Sequence, residues 1–171
     1  PARGVWDGRT YTNTEAGIKL TVPDGYNIYS DEELIEWGEF SEDYFDDVKS
    51  KDEYVDVLIA GENSRMYIDY GFSPRENVTA EQYMNLVKAN HITRKRNGET
   101  RDIIYESNAE KVLCGQTYVY CGFTLNELDG YYSAWCLRFI EGDILVFIDI
   151  YGSSKEEVNA YLAFFDTASV K

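Results

Sequence analysis

The chain has 171 residues, with 31 Asp and Glu against 16 Lys and Arg and a formal net charge of -15 at pH 7, a length that suits one domain. An apolar share of 44% is ordinary for a globular core and excludes wholesale disorder. No stretch approaches the roughly 20 apolar residues of a membrane-spanning helix, and the acid excess would repel a nucleic-acid backbone.

The sequence opens Pro1-Ala2-Arg3-Gly4-Val5, which has no apolar signal core and reads as a short flexible lead-in. Residues 9–13 and 18–22 alternate as two short strands around Thr14-Glu15-Ala16-Gly17, and Pro23-Asp24-Gly25 stops the second. Ser30-Asp31-Glu32-Glu33 has the form of a capping box: the Ser30 hydroxyl accepts an orphan amide hydrogen while Glu33 reaches back. It predicts a helix over 31–40, with Leu34 and Ile35 beginning its apolar stripe. Tyr44, Phe45 and Val48 keep helical spacing among crowded acids, so the form of 41–49 stays open.

Residues 54–60 and 66–72 read as a second hairpin, in which Met66, Ile68, Tyr70 and Phe72 alternate with Tyr67, Asp69 and Gly71. Thr79 and Gln82 stand at cap spacing, and Ala80, Tyr83, Met84 and Val87 at i, i+3, i+4 and i+7 predict a middle helix over 79–89. From residue 103 the period becomes two, predicting strands near 103–106, 109–113, 116–124, 131–140 and 143–151. Turns at Ser107-Asn108, 126–130 and Glu141-Gly142 make these an antiparallel meander.

Residues 144–150 are apolar on both strand faces, Ile144, Val146, Ile148 and Ile150 on one and Leu145 and Phe147 on the other. Such a strand lies centrally, covered on both sides. The cover is expected to be helical, because the three predicted helices are the other elements with apolar stripes. The last, over 155–165, carries Val158, Tyr161, Leu162 and Phe165 behind a cap at Ser153 or Ser154. The predicted fold class is α+β: one domain over 1–171, a central antiparallel sheet with helices packed on both faces, an α/β/α sandwich.

The opening pattern Trp6-x-Gly8-x-x-Tyr11-x-Asn13-x-x-Ala16-Gly17-Ile18-x-Leu20-x-x-Pro23-x-Gly25-Tyr26 resembles the start of PsbP-like domains, which share a fold with the Ran-binding Mog proteins. The order of elements agrees, as does Tyr151-Gly152-Ser153-Ser154 at the entry to the last helix. The chain looks especially like the secreted or lipoprotein versions found in Gram-positive gut bacteria. The resemblance implies a domain that binds or assists larger assemblies and is not an enzyme. It carries no catalytic residue onto any position here, and Tyr26 stands where such domains often have Trp.

Chemical motifs add little. Cys114, Cys121 and Cys136 are an odd count with no C-x-x-C spacing, so structural zinc is not expected and all three are predicted buried and reduced. His91, the one histidine, is read as following the middle helix and complementing its dipole. Arg94, Lys95, Arg96 and Arg101 read as a solvated loop around Asn97-Gly98, too few for a nucleic-acid patch. The G-x-S-x-G, phosphate-loop and EF-hand patterns are absent, and no cofactor or metal is expected. Tyr118, Tyr120, Tyr131, Tyr132 and Tyr151 suit half-buried strand positions more readily than an exposed platform.

The sharpest local feature is the acidity of 31–56, where twelve acids face only Lys49 and Lys51. A solvated face is the plainer reading, and a docking face built on Glu36, Glu39, Asp43, Asp46 and Asp47 is the functional one, its partner a protein with a basic surface. The chain is therefore expected to be a non-enzymatic extracytoplasmic binding or accessory domain, tethered to an envelope through a removed leader. The alternatives are a carbohydrate or small-ligand module using Tyr and Trp, and an acidic stoichiometric inhibitor. A concave aromatic cluster would favour the ligand module, a flat acid face with an apolar centre the docking domain, and buried, perturbed carboxylates an enzyme.

Overall fold

The structure is a computed structural model that describes residues 1–72, 78–93, 103–125, 131–141 and 143–170. The basic loop 94–101, the turn 126–130 and Gly142 lie outside the described residues. The strands are β1 (Val5–Asp7), β2 (Thr10–Asn13), β3 (Ile18–Thr21), β4 (Asn27–Ile28), β5 (Glu53–Ala60), β6 (Arg65–Phe72), β7 (Ile103–Tyr105), β8 (Ala109–Leu113), β9 (Gln116–Leu125), β10 (Tyr131–Ile140) and β11 (Ile144–Gly152). The helices are α1 (Asp31–Gly38), α2 (Ala80–Thr93) and α3 (Lys155–Leu162). β1, β2 and β3 form one small antiparallel sheet, and the other strands form a large one in the order β4-β5-β6-β11-β10-β9-β7, with β8 also paired to β9.

β11 lies centrally, between β10 and β6, because its register lines up apolar residues on both neighbours. Ile148 sits opposite Cys136 of β10 and Ile68 of β6, and Ile150 opposite Ala134 and Met66. All of these are fully buried, and each such aliphatic side chain contributes roughly 1.5–3 kcal/mol. On the other face Leu137 pairs with Phe147 and Phe139 with Leu145, beside Met84 of α2 and Trp135 in a second cluster.

The molecule is more sheet than the sequence patterns imply, and the cover of the first core is not purely helical. Tyr11, Ile18 and Leu20 of β2 and β3 are completely buried against it, together with Val158 and Tyr161 of α3. A two-strand ribbon with one apolar face covers a core as a helix stripe does. The last helix also ends early, at Leu162. Phe165 instead makes a bridge to Leu20, joining the small sheet to the end of α3.

The helix starts follow local chemistry. Ser30 and Glu33 form the reciprocal capping box, and Thr79 and Gln82 form another at α2, each bonding the other's backbone amide. Ser154, not Ser153, caps α3. α1 stops at Gly38, shorter than the pattern suggested, and Glu39 turns left-handed at its end. α2 runs to Thr93, so His91 lies in its last turn and does not follow it.

The first residues, read as a flexible lead-in, are tied into the domain. Arg3 Nε is 2.7 Å from Asp56 and its two terminal nitrogens reach Asp31. Gly4 N donates to Asp56 and Asn13 Nδ2 to the carbonyl of Ala2. Gly4 lies so close over Tyr11 that a β-carbon there would stand 2.3 Å from the ring. Asp56, 3% exposed, also accepts from the Tyr11 hydroxyl at 2.6 Å, which meets Tyr70 at 2.8 Å. A buried carboxylate is tolerable because several donors converge on it.

Candidate functional site

Two surface features carry chemistry. The first is the acidic segment. Glu36 on α1, Glu39 at its cap, and Asp43, Asp46 and Asp47 in the turns that follow are all exposed, and among the described residues none of the five joins an ion pair. Residues 42–47 form successive turns that lead into a short 3-10 helix, Val48–Ser50, fixed from below by buried Tyr44 and Val48. Phe40 stacks on Tyr44 at 3.9 Å, Phe45 lies under the Arg3 guanidinium at 3.7 Å, and Trp37 is 37% exposed. The acids therefore surround partly exposed rings. Hydrogen bonding from Ser41 holds the Asp43 carboxyl below its usual range. Asp31 belongs to a different environment, its pKa lowered by its hydrogen bonds to Arg3.

The second feature is a groove of about 370 Å³ over β5, β6 and β11, walled by Tyr83 and Val87 of α2. Asp52, Glu53, Asp69 and Asp149 all line it. The β6–β11 register places Asp69 opposite Phe147 and Tyr67 opposite Asp149, so these side chains share one sheet face. The Tyr67 hydroxyl donates to Asp149 at 2.6 Å, and the Tyr67 ring is 6.0 Å from that of Trp37.

The electrostatics of the groove follow from loss of water. Burial pushes Asp149 up to about 6, although hydrogen bonds from Tyr67 and Trp135 and the charge of Arg65 pull the other way. Asp69, 9% exposed, is held well above the usual carboxylate range by burial, then by the charges of Glu53 and Asp149 and by a hydrogen bond with the Glu53 side chain. Its Oδ1 is buried with no hydrogen-bond partner. At neutral pH Asp149 is therefore mostly ionised. Among the described residues no three His, Cys, Asp or Glu side chains group to hold a metal ion.

The sequence reading passed over Asp69 and Asp149. Each is a lone acid inside a strand, Asp69 between Ile68 and Tyr70 and Asp149 between Ile148 and Ile150, and that interruption of an otherwise buried run was the available signal. Other expected features resolve structurally. His91 packs edge-on among the rings of Tyr105, Phe123 and Trp135, with a hydrogen bond between its Nδ1 and the Tyr105 hydroxyl. Tyr118, Tyr120 and Tyr132 are buried in the first core, while Tyr131 and Tyr151 stack on each other at 4.9 Å. All three cysteines are buried and free. Cys121 sits opposite Trp135, and Cys136 opposite Tyr120, so the two thiols point to opposite sheet faces.

These elements define a mixed α/β domain built on a large antiparallel sheet with three helices, of PsbP-like fold. Among solved structures the chain is similar to the solution structure of cyanobacterial PsbP (CyanoP) from Synechocystis sp. PCC 6803, with a TM-score of 0.51. The two are 13% identical over 92% of this chain and 91% of that one. No family model matches the chain, and no curated protein does. Among the described residues no helix is long and apolar enough to cross a membrane.

Proposed function

We propose that this chain is a non-catalytic, extracytoplasmic accessory domain that docks a protein partner of basic surface through Glu36, Glu39, Asp43, Asp46 and Asp47. The observation that carries the reading is the arrangement of these five exposed carboxylates, none in an ion pair among the described residues, around the partly exposed rings of Trp37, Phe40 and Phe45. The PsbP-like fold supports an accessory role over a catalytic one. Charges displayed this way mainly accelerate encounter, over a range screened at about 8 Å in physiological salt.

The test is kinetic. A partner is captured from native envelope extract, identified, and its association measured with the chain and with a variant carrying Glu36→Gln, Glu39→Gln, Asp43→Asn, Asp46→Asn and Asp47→Asn. The variant should associate more slowly, with dissociation little changed, and the native association rate should fall with salt. Unchanged binding with unchanged salt dependence would leave the segment a solubilising face and end the reading.

A further inference from the structure

The groove has a composition that selects its occupant. Among the described residues four carboxylates line it and no Lys, Arg or His does. An anion or a reacting centre that builds negative charge would face these four acids. A positive group would be stabilised by all four acids. The rings of Tyr67, Phe72, Tyr83 and Phe147 supply the faces that attract cations and the surface along which an alkyl stem packs. The volume is within the range of small-molecule sites.

Asp69 Oδ1 is the second, independent sign. A buried carboxyl oxygen with no partner is costly and uncommon in a folded protein, and this one belongs to a residue that lines the groove. A donor entering from the groove would complete it. The acids do not group as metal ligands do, and carboxyls set among rings suit an N–H donor on a carbon stem.

We propose that this groove binds an organic cation, a primary ammonium or a guanidinium on an alkyl stem, with Asp69 as its principal anchor. None of the acids assigned to docking lines the groove, so the proposal stands apart from the docking reading. The cation can reach the groove as a free amine or as a Lys or Arg side chain of another protein, since both offer the same donors. A bound cation favours the charged form of Asp69, against the upward push of burial. Among the described residues, the other groups that titrate or carry charge around it are Asp52 just before β5, Glu53 from β5, Tyr67 from β6, Asp149 from β11 and Tyr83 from α2, with Arg65 of β6 acting on Tyr67 and Asp149.

The experiment is an NMR titration of the whole chain at pH 7.5 and constant ionic strength. The probes are butylammonium, butylguanidinium, the blocked peptide acetyl-Gly-Arg-Gly-amide, and butanol as the uncharged control. The cations should shift resonances of β6, β11 and α2 at concentrations where butanol does not. Asp69→Asn should weaken them about tenfold to a hundredfold, the range of a lost bond to a charged group. Glu53 is exposed, so Glu53→Gln keeps the fold and should weaken binding by a smaller factor, which preserves the test if Asp69→Asn fails to fold. Tighter binding of the free cations identifies a small-molecule site, and tighter binding of the peptide a side-chain site. Either supports the class of ligand. No preference for the cations over butanol, or cation binding untouched by both substitutions, overturns it.

Discussion

Asp149 should make the protein less stable as pH rises, and its replacement by Asn should remove that penalty. Its pKa is about 6 in the folded chain, against about 3.9 for an unperturbed Asp. Between those values the folded chain keeps a proton that the unfolded chain has released. The contribution of this group is therefore fully present below about pH 4 and is lost as pH climbs through about 6. A shift of about 2 units at 1.36 kcal/mol each corresponds to roughly 3 kcal/mol at pH 8. Water in the groove makes this an upper value. Asn has the same shape, and its carbonyl can still accept from the Tyr67 hydroxyl, so the substitution removes the charge while keeping that bond. Urea unfolding followed by tryptophan fluorescence at pH 4.5, 6 and 8 measures the difference. At pH 4.5 the variant should already be ahead by about 1 kcal/mol, roughly a third of the full difference, because the unfolded Asp is mostly ionised there. At pH 8 the variant should unfold at higher urea, by up to about 1.5 M for a slope of about 2 kcal/mol per M. A pH-independent difference, or a variant less stable at pH 8, would show that Asp149 is not held protonated by burial and would refute the reasoning.

Tyr11→Phe removes the hydroxyl that links Asp56 to Tyr70; it should cost about 1–3 kcal/mol in the same unfolding assay, and a loss below about 0.5 kcal/mol would mean the network is slack. The three thiols should react slowly in the native chain and fully in denaturant under non-reducing conditions, giving three free groups. A count of one would mean a disulfide, which the register of β9 and β10 does not permit between Cys121 and Cys136, and would contradict three free thiols.

Local patterns in the sequence determined where elements begin and what kind they are. Ser30 with Glu33 and Thr79 with Gln82 mark helix starts because each pair satisfies amides within four residues of itself. The double-faced apolarity of 144–150 placed β11 at the centre of the sheet because a strand with no polar face has nowhere else to go. The acidic segment was equally legible, since exposed charge is written directly in composition. Tertiary structure decided what no local window contains. Arg3 finds Asp31 and Asp56 across 28 and 53 residues, which fixes a segment that reads as loose. β2 and β3 reach the core as a covering ribbon because their register brings Tyr11, Ile18 and Leu20 against it. The groove exists only because pairing of β6 with β11 lays Asp69 and Asp149 on one face, 80 residues apart in sequence, with α2 beside them. Each acid alone is an interruption in a strand; burial together, with one oxygen left unbonded, is what makes them a site.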